Sequence, residues 1–314
     1  MIMTKAMLTL LLALLPVIAQ AGQVAQVASP DGRNVVQLDT NGEGRVAYRV
    51  LRDGKPVIDD SRLGIQLRNG RELLRNLKLQ AHVARSFDET WEQPWGERRF
   101  IRNYYNELRA TFIETDRDHR RFDVVFRVYD DGLGFRYEVP KQDTLQRAEI
   151  EDEFTEFAIA RPATAWWIPA GEWNRYEYLY NKTPLAEVSQ AHTPITVRTA
   201  DGLHLSFHEA ALVDYAGMWL RRVDGQRLRA HLAPGGVQGA SVVVDTPFKT
   251  PWRTIQISER AGGLVESSLI LNLNEPNTLG DIRWFKPSKY VGVGWSLHLE
   301  TESWATGAKH GATT

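Results

Sequence analysis

Apolar and polar residues alternate with a period of two along most of the chain, and glycine or Asx-Gly pairs interrupt the alternation at short intervals. Residues 46–52 and 55–58 follow this pattern on either side of Asp53-Gly54, a pair typical of a tight two-residue hairpin turn. The same combination of an alternating run and an Asx-Gly pair recurs three times. Residues 63–68 precede Asn69-Gly70, residues 122–129 precede Asp131-Gly132, and residues 195–199 precede Asp201-Gly202, which is followed by a further run at 203–208. Strands at this density, without long amphipathic helices between them, predict a β-sandwich of many antiparallel strands.

The pattern changes near residues 282–287. Residues 290–295 then form a continuous apolar run instead of an alternating one, which is typical of a strand that is buried on both faces. A second architecture is therefore expected to begin there, shortly before the sequence ends at Thr314.

The first 21 residues have the features of a secretory leader. Lys5 precedes an apolar run over 7–18, and Ala19-Gln20-Ala21 places small residues at the positions that signal peptidase requires. The run is shorter than the ~20 residues of a membrane-spanning helix. Cleavage after Ala21 and a periplasmic or secreted location are expected.

Composition narrows the class of protein further. The chain has no cysteine, which excludes a disulfide scaffold and a cysteine-ligated metal. The 38 Lys and Arg residues nearly balance the 39 Asp and Glu residues, so no net field favours nucleic acid or an anionic membrane. Because 43% of the residues are hydrophobic, a large core can stabilise the fold without disulfides.

Residues 166–178 (WWIPAGEWNRYEY) combine five aromatic rings with the carboxylates of Glu172 and Glu177 in a stretch that Pro169 and Gly171 interrupt. Aromatic faces stack on pyranose rings, while carboxylates accept hydroxyl hydrogen bonds or bind a hard cation such as calcium. The pattern is equally consistent with an aromatic corner that packs into the core of an all-β domain. The residues alone leave both interpretations open.

Several long strings along the chain resemble glycoside hydrolase family 97. They run in family order over nearly all of the sequence after the leader, at 88–97 (DETWEQPWGE), 101–108 (IRNYYNEL), 131–137 (DGLGFRY), 205–215 (LSFHEAALVDY), 250–254 (TPWRT), 271–276 (LNLNEP) and 289–293 (KYVGV).

The resemblance implies a specific architecture and activity. Family members are exported bacterial enzymes, either inverting α-glucosidases or retaining α-galactosidases. They depend on calcium and combine an N-terminal super-β-sandwich of the galactose-mutarotase-like type, a (β/α)8 barrel and a small C-terminal β domain. This chain then corresponds to the sandwich at 22–285 and the start of the barrel at 286–314, so that its partners are the remaining barrel, the C-terminal domain and an α-linked oligosaccharide.

The resemblance also assigns site residues. The family's sandwich donates a glutamate to the calcium shortly after a Trp-Ile-Pro string, which here is 167–169 and points to Glu177, with one extra residue in the loop. Glu172 is the competing carboxylate and a candidate for substrate binding. The family's first barrel strand usually ends in two tryptophans, but here Gly294 precedes Trp295, which leaves Trp295 as the second candidate for substrate binding.

No catalytic residue is expected within this chain. Glycoside hydrolysis needs two carboxyl groups, about 5–5.5 Å apart for retention or about 6.5–9.5 Å for inversion. The resemblance places both on later barrel strands, so we expect little hydrolysis from this polypeptide alone.

Other polar residues have structural interpretations that compete with functional ones. His208 and Glu209 are adjacent on an alternating strand and therefore point to opposite faces, which argues against a metal site formed with Asp214. For the pair 106–107 and for 95–97, structural and functional roles are equally plausible. The arginine pairs 98–99 and 120–121 are expected to be solvated charges.

Two classes of function follow for this chain. It is either the N-terminal part of a calcium-dependent exo-α-glycosidase, with an α-glucosidase preferred over an α-galactosidase, or a carbohydrate-binding sandwich without catalytic activity.

Overall fold

The structure is a computed structural model that describes residues 22–116, 118–172, 175–235 and 239–289. The described residues form 21 β-strands, one 3-10 turn at Leu185–Glu187 and two short helices. The leader at 1–21, the expected barrel strand at 290–295 and Trp295 lie outside the described residues. Within the described part, no helix has the length and apolar character needed to cross a membrane.

In chain order the strands are β1 (Gly22–Ala28), β2 (Asn34–Thr40), β3 (Val46–Arg52), β4 (Lys55–Arg62), β5 (Ile65–Leu67), β6 (Leu77–Glu92), β7 (Phe100–Glu114), β8 (Arg121–Tyr129), β9 (Gly132–Val139), β10 (Arg147–Glu153), β11 (Glu156–Ile159), β12 (Ala163–Trp167), β13 (Asn181–Pro184), β14 (Gln190–His192), β15 (Ile195–Thr199), β16 (His204–Ala210), β17 (Met218–Asp224), β18 (Arg227–Leu232), β19 (Val242–Asp245), β20 (Phe248–Lys249) and β21 (Trp252–Ser258). The helices are α1 (Ala261–Glu266) and α2 (Leu269–Leu273).

The strands pair in the antiparallel sense within three sheets. Sheet I has the order β1-β2-β3-β4-β11-β18-β17-β14. Sheet II has the order β13-β12-β15-β16-β21-β9-β8-β7-β6, with β20 paired to β9. Sheet III is the short sheet β19-β10-β5. The predicted mostly-β sandwich is confirmed.

Three of the four predicted turns join consecutive strands as expected. Asp53 and Gly54 both adopt positive φ, 49° and 72°, which matches the right-handed twist of β3 and β4. Gly202 adopts a φ of 95° in the turn between β15 and β16. Strands β8 and β9 are joined as predicted, although Tyr129 pairs directly with Gly132, so the glycine is the first strand residue and not part of the turn.

The fourth predicted turn is wrong. Strand β5 is only three residues long, and Asn69-Gly70 does not close a two-residue hairpin. Instead, the Asn69 side chain donates to the Arg147 carbonyl at 2.9 Å and accepts from the Glu149 amide at 3.0 Å. These side-chain bonds dock the loop on β10, an interaction between distant segments that a local turn pattern does not reveal.

The main core lies between sheets I and II. Tyr48 of sheet I contacts the rings of Phe126 and Phe135 of sheet II at centroid distances of 5.8 and 4.9 Å, and its hydroxyl donates to the Glu156 carbonyl. Phe157 of sheet I contacts Phe207 of sheet II at 5.3 Å. These fully buried rings join the two sheets into a sandwich, because offset and tilted aromatic pairs bury large apolar areas.

A smaller apolar cluster covers the outer face of sheet II, where Leu269 and Leu273 of α2 pack near Tyr105 and Trp252. A Cβ at Gly134 would lie 2.4 Å from the Leu273 side chain, so a larger residue there would require Leu273 to shift. At the edge of the same sheet, the 16-residue strand β6 pairs with β7 and exposes most of its side chains.

Residues 93–99 and 276–289 form a unit of their own. Within it, the rings of Trp95 and Phe285 meet edge to face at 4.9 Å, and Trp284 lies 4.4 Å from Phe285. The proposed boundary at residue 285 stays a prediction.

Candidate functional site

The aromatic loop, defined as residues 168–180, connects β12 to β13 at one edge of sheet II. Because Ala165 and Trp167 point inward and are buried, Trp166 points outward and is half-buried. The indole N–H of Trp167 donates to the Thr183 hydroxyl at 3.2 Å across the β12–β13 pair. The two tryptophans therefore have different environments although they are adjacent in the sequence.

The first half of the loop is fixed to β14 of sheet I. The Ala170 amide donates to the Gln190 carbonyl and the His192 amide donates to the Ile168 carbonyl, both at 3.1 Å. Between them, Pro169 and Ala191 form an isolated bridge. Gly171 follows with a φ of 127°, a conformation that side chains rarely adopt, so glycine is needed where the chain leaves the sheet.

Glu177 lies in the second half of this loop and its carboxylate is exposed. Its one hydrogen bond in the described part of the chain comes from the Tyr176 amide to Oε2 at 3.3 Å, and no described Lys or Arg forms an ion pair with it. Arg175, two residues earlier, instead lies 4.7 Å from the centroid of the Tyr178 ring. The carboxylate of Glu177 is therefore available for a cation from outside this loop.

Glu172 is also exposed, but it interacts with its own loop. Its carbonyl accepts from the Arg175 amide at 3.4 Å. Partial desolvation, together with a hydrogen bond to the Glu172 carboxylate, raises the pKa of the Tyr178 hydroxyl. Glu172 and Glu177 thus share a loop, as the sequence indicates, and both carboxylates are exposed and form no ion pair within the described residues.

A row of rings that no sequence pattern indicates supports the loop from the side of sheet I. Tyr176 meets His192 edge to face at 6.1 Å, His192 meets Trp219 at 5.9 Å, and Trp219 lies 6.0 Å from His231. His231 Nδ1 lies 3.1 Å from Asp152 Oδ2. His192, Trp219 and His231 become neighbours through the pairing of β14, β17 and β18, and Tyr176 joins them from the loop, so no local signal reveals the row.

The segment between β16 and β17, which leads into Trp219, carries unusual backbone geometry. Ala211 and Asp214 both adopt a φ of 52°, which is uncommon for residues with a side chain. The Ala211 amide donates to Asn274 Oδ1 at 2.9 Å, and the exposed side chains of Leu212 and Val213 follow. Asp214 is exposed and has no hydrogen bond or ion pair within the described residues.

Glu209 has a structural role, as predicted from the alternation. It faces the interior together with Phe207, whereas His208 faces the outer side, where burial lowers the pKa of its imidazole. Glu209 Oε2 accepts from Arg253 at 2.6 Å and Oε1 accepts from the Met218 amide at 3.1 Å. Burial raises the pKa of the Glu209 carboxyl even though Arg253 opposes this shift.

Arg253 itself is fully buried and also binds Glu153, with hydrogen bonds of 2.6 and 3.1 Å to the two carboxylate oxygens. The hydroxyls of Tyr215 and Thr155 donate to the same carboxylate at 3.0 and 2.9 Å. This set of residues, here called the Arg253 network, consists of Glu153, Thr155, Glu209, Tyr215 and Arg253. Every carboxylate in it has a protein partner, so it belongs to the core and not to a binding site.

One expectation about charges is wrong. Arg120 is not a solvated charge but is buried, and it binds both carboxylate oxygens of the buried Glu114 at 2.6 Å. Glu107 is likewise structural, since Arg85 and Arg127 donate to it at 2.8 and 2.9 Å. The neighbouring Asn106 side chain donates to the Ala28 carbonyl.

The described residues contain no group of three or more His, Asp or Glu side chains arranged to hold a metal ion. Calcium requires six to eight oxygen ligands, so Glu177 fits the role of one hard oxygen donor among several and not that of a complete site.

Comparison with known proteins agrees with this architecture. The family model described as Glycosyl-hydrolase 97 N-terminal matches residues 27–276. A glycoside hydrolase family 97 enzyme from Pseudoalteromonas sp. strain K8, solved in complex with acarbose and as a variant with panose, superimposes with a TM-score of 0.86 at 45% identity. The superposition covers 92% of this chain and 44% of that one. A β-arabinopyranosidase structure at 24% identity, with a TM-score of 0.68 over 76% of this chain and 40% of that one, shares the fold.

Two curated relatives are described as alpha-galactosidases. A retaining alpha-galactosidase of Bacteroides thetaiotaomicron is 26% identical over 98% of this chain and 50% of that protein. A probable retaining alpha-galactosidase of Streptomyces bingchenggensis is 27% identical over 80% of this chain and 38% of that protein. The chain spans about half the length of the first of these relatives and less of the second. Because the family model covers most of the chain, this protein belongs to glycoside hydrolase family 97 and carries its N-terminal β-sandwich domain.

Proposed function

We propose that this chain is the N-terminal part of an exported, calcium-dependent exo-α-glycosidase and that Glu177 is the ligand it contributes to the metal. The observation that carries the proposal is the contrast within the aromatic loop. The first half of the loop is fixed to β14, and the Glu177 carboxylate in the second half is exposed and has no cationic partner among the described residues. An exposed carboxylate without a cationic partner is suited to a hard cation whose other ligands come from elsewhere.

The Glu177 carboxylate suits calcium as one ligand, but the described residues do not form a complete calcium site. When bound, calcium would supply a positive charge that stabilises negative charge on neighbouring oxygens. The described residues supply Glu177 and the rigid first half of its loop, whereas further oxygen ligands must come from other parts of the enzyme. The 314 residues are therefore expected to bind calcium weakly.

The substrate is proposed to be an α-linked saccharide, with an α-glucoside preferred over an α-galactoside. The preference follows from similarity, because the enzyme that was solved with panose and acarbose is 45% identical, whereas the two alpha-galactosidases are 26% and 27% identical. The discriminating contacts are expected on the barrel.

Hydrolysis needs a pair of carboxyl groups on the two sides of the scissile bond. In the family these groups belong to the barrel, and the described part of this chain contributes the sandwich. We therefore expect no release of p-nitrophenol from its α-glucoside or α-galactoside by the 314-residue chain, with or without calcium. Turnover that disappears in Glu177→Gln would contradict this division of roles.

Terbium luminescence tests the metal ligand directly. Terbium replaces calcium at oxygen sites, and the rings of Tyr176 and Tyr178 lie close enough in sequence to sensitise its emission. We expect weak, calcium-displaceable luminescence that Glu177→Gln removes and that the matched control Glu172→Gln retains. Equal loss in both variants, or luminescence that neither variant changes, would exclude Glu177 as the specific ligand.

The alternative function is carbohydrate binding without catalysis, and the exposed rings of Tyr176 and Tyr180 favour it. Under this alternative, the chain alone should be retarded by soluble α-glucan in affinity electrophoresis, and Tyr176→Ala with Tyr180→Ala should abolish the retardation. Under the glycosidase proposal, the loop binds sugar only together with the barrel, so the chain alone should migrate unchanged.

A further inference from the structure

A second surface lies at the root of the β12–β13 hairpin, on the outer face of sheet II. The register of three neighbouring strands defines it. Trp166 of β12 pairs with Lys182 of β13 and with Thr196 of β15, while Thr164 pairs with Pro184 and with Arg198. Because side chains alternate between the two faces of a strand, these six residues share one face of the sheet.

The inward face of the same strands confirms this orientation. Ala165 and Val197, which alternate with these residues, are fully buried in the main core. The six residues therefore point away from the core, and most of them line a cleft of about 410 Å³ together with 162–163 and 199–200. We call this feature the Trp166 cleft.

The Trp166 cleft carries two cations and no carboxylate among its lining residues. The Lys182 ammonium lies 5.4 Å from the centroid of the Trp166 ring, and Arg198 is exposed, with no ion pair within the described chain. The nearby Asp201 does not neutralise them, because it is bound by Arg161 and by the Thr199 hydroxyl. From strand spacing and rise, the Cα atoms of Lys182 and Arg198 are roughly 12 Å apart, on a diagonal that crosses β12 between Trp166 and Thr164.

The indole ring and the two cations of the Trp166 cleft favour some classes of ligand over others. The hydroxyls of a neutral sugar both donate and accept hydrogen bonds, and the lining residues lack the carboxylates and amides that would accept from them most strongly. A small inorganic anion would use the cations but not the indole ring. A saccharide that carries carboxylates uses both, since its ring stacks on the indole while its charges meet Lys182 and Arg198.

We propose that the Trp166 cleft binds acidic oligosaccharides, namely chains of pyranose units that carry carboxylates. The chain would thus hold a uronate-containing polysaccharide at a surface separate from the aromatic loop. The cleft uses no residue of 168–180, so this proposal and the assignment of Glu177 can fail independently.

Isothermal titration calorimetry on the purified full chain tests the proposal. The probes are tetragalacturonate, maltotetraose of the same length, and a tetra-aspartate peptide of the same charge. We expect tetragalacturonate to bind at least tenfold more tightly than either comparison probe, with an affinity that falls as salt is added, because exposed charges are screened. No binding of tetragalacturonate, or equal binding of maltotetraose or of the peptide, would overturn the proposal.

Variants then locate the site. Lys182→Gln and Arg198→Gln should each weaken binding about threefold, a size typical of exposed charge pairs, and together about tenfold. Trp166→Ala should weaken it more, since it removes the stacking surface. Lys141→Gln, an exposed charge outside the cleft, is the matched control and should change nothing. Thermal melting of each variant checks the fold, and unchanged affinity in the folded double variant would place the binding elsewhere.

Discussion

The Arg253 network and the aromatic loop each contain two glutamates, and they differ in what the fold places around them. Glu153 and Glu209 are buried and share the guanidinium of Arg253, whereas Glu172 and Glu177 are exposed and share none. A carboxylate that the fold has already neutralised has no capacity left for a ligand, and an exposed carboxylate without a cation does. The difference teaches that the surroundings of a glutamate, and not its residue type, decide whether its carboxylate is free to bind a ligand in this domain.

The largest expected effect is on the buried side of this comparison. Arg253→Met removes the cation and leaves Glu153 and Glu209 facing each other in the core, so it should lower the free energy of unfolding by about 3–5 kcal/mol. Urea denaturation measures this loss. The exposed Arg147→Met is the control and should stay within about 0.5 kcal/mol of the wild type.

Adding Glu153→Gln and Glu209→Gln to Arg253→Met should recover part of the lost stability, because the uncompensated charges are removed. If stability does not recover, the loss comes from packing around residue 253, and the explanation by uncompensated carboxylate charges is wrong.

A smaller and more local effect is expected in the aromatic loop. Gly171→Ala forces a side chain into a φ of 127°, which costs on the order of 1–3 kcal/mol where the conformation is kept. The loop can release this strain by leaving β14, so amide exchange at Ala170 should accelerate while the melting temperature changes little. Gly42→Ala, at a position with open space and no positive φ, should alter neither quantity. A large drop in melting temperature for Gly171→Ala would mean that the loop is part of the cooperative core.

The pH dependence of stability extends the comparison to two buried glutamates. Their contributions to the free energy of unfolding should change with pH in opposite directions. Burial raises the pKa of Glu209 above its ordinary value of 4.5, so its contribution to stability is present below 4.5 and is lost as the pH rises through its higher value in the folded protein. Burial also opposes ionisation at Glu107, but the hydrogen bonds from Arg85 and Arg127 outweigh it and lower the pKa below 4.5. Its contribution is present above 4.5 and is lost as the pH falls.

Denaturation of the wild type, Glu209→Gln and Glu107→Gln over a pH series measures these signs. Relative to Glu209→Gln, the wild type should lose stability as the pH rises above 4.5. Relative to Glu107→Gln, it should lose stability as the pH falls below 4.5. If stability relative to both variants changed in the same direction with pH, the pKa values of Glu209 and Glu107 would not be shifted in opposite directions.

The smallest effect on stability is expected at the proposed metal ligand. Glu177→Gln should change the free energy of unfolding by less than about 0.5 kcal/mol, since the side chain is exposed and forms one long hydrogen bond. Glu153→Gln, the buried counterpart, should cost clearly more. A marked loss of stability in Glu177→Gln would show that this carboxylate already has a structural partner.

The fold was predictable where local pattern and tertiary structure agree. The turn at Asp53-Gly54 closes a hairpin because its backbone geometry is set by two adjacent residues. At Asn69, in contrast, side-chain bonds to β10 decide the outcome. Arg120 became a buried ion pair because Glu114 lies across a short turn, although the sequence displays only two adjacent arginines.

The candidate site was predictable only in part. The sequence placed Glu172 and Glu177 in one loop, and the family strings singled out Glu177. The row from Tyr176 to His231 and the Trp166 cleft depend on strand register over distant segments. A pattern of single residues does not contain that information.

The way in which the aromatic loop is attached has a consequence for how such domains diversify. The ladder to β14 ends at Ala170, and the row of rings contacts the second half of the loop at Tyr176. Residues can therefore be inserted or removed after Gly171 at small entropic cost, because closing a slightly longer loop changes its free energy little. The one extra residue that the family resemblance implies for this loop would be an instance of such variation. A change in the length of this segment would therefore shift the position of the Glu177 carboxylate and leave the supporting sandwich unchanged.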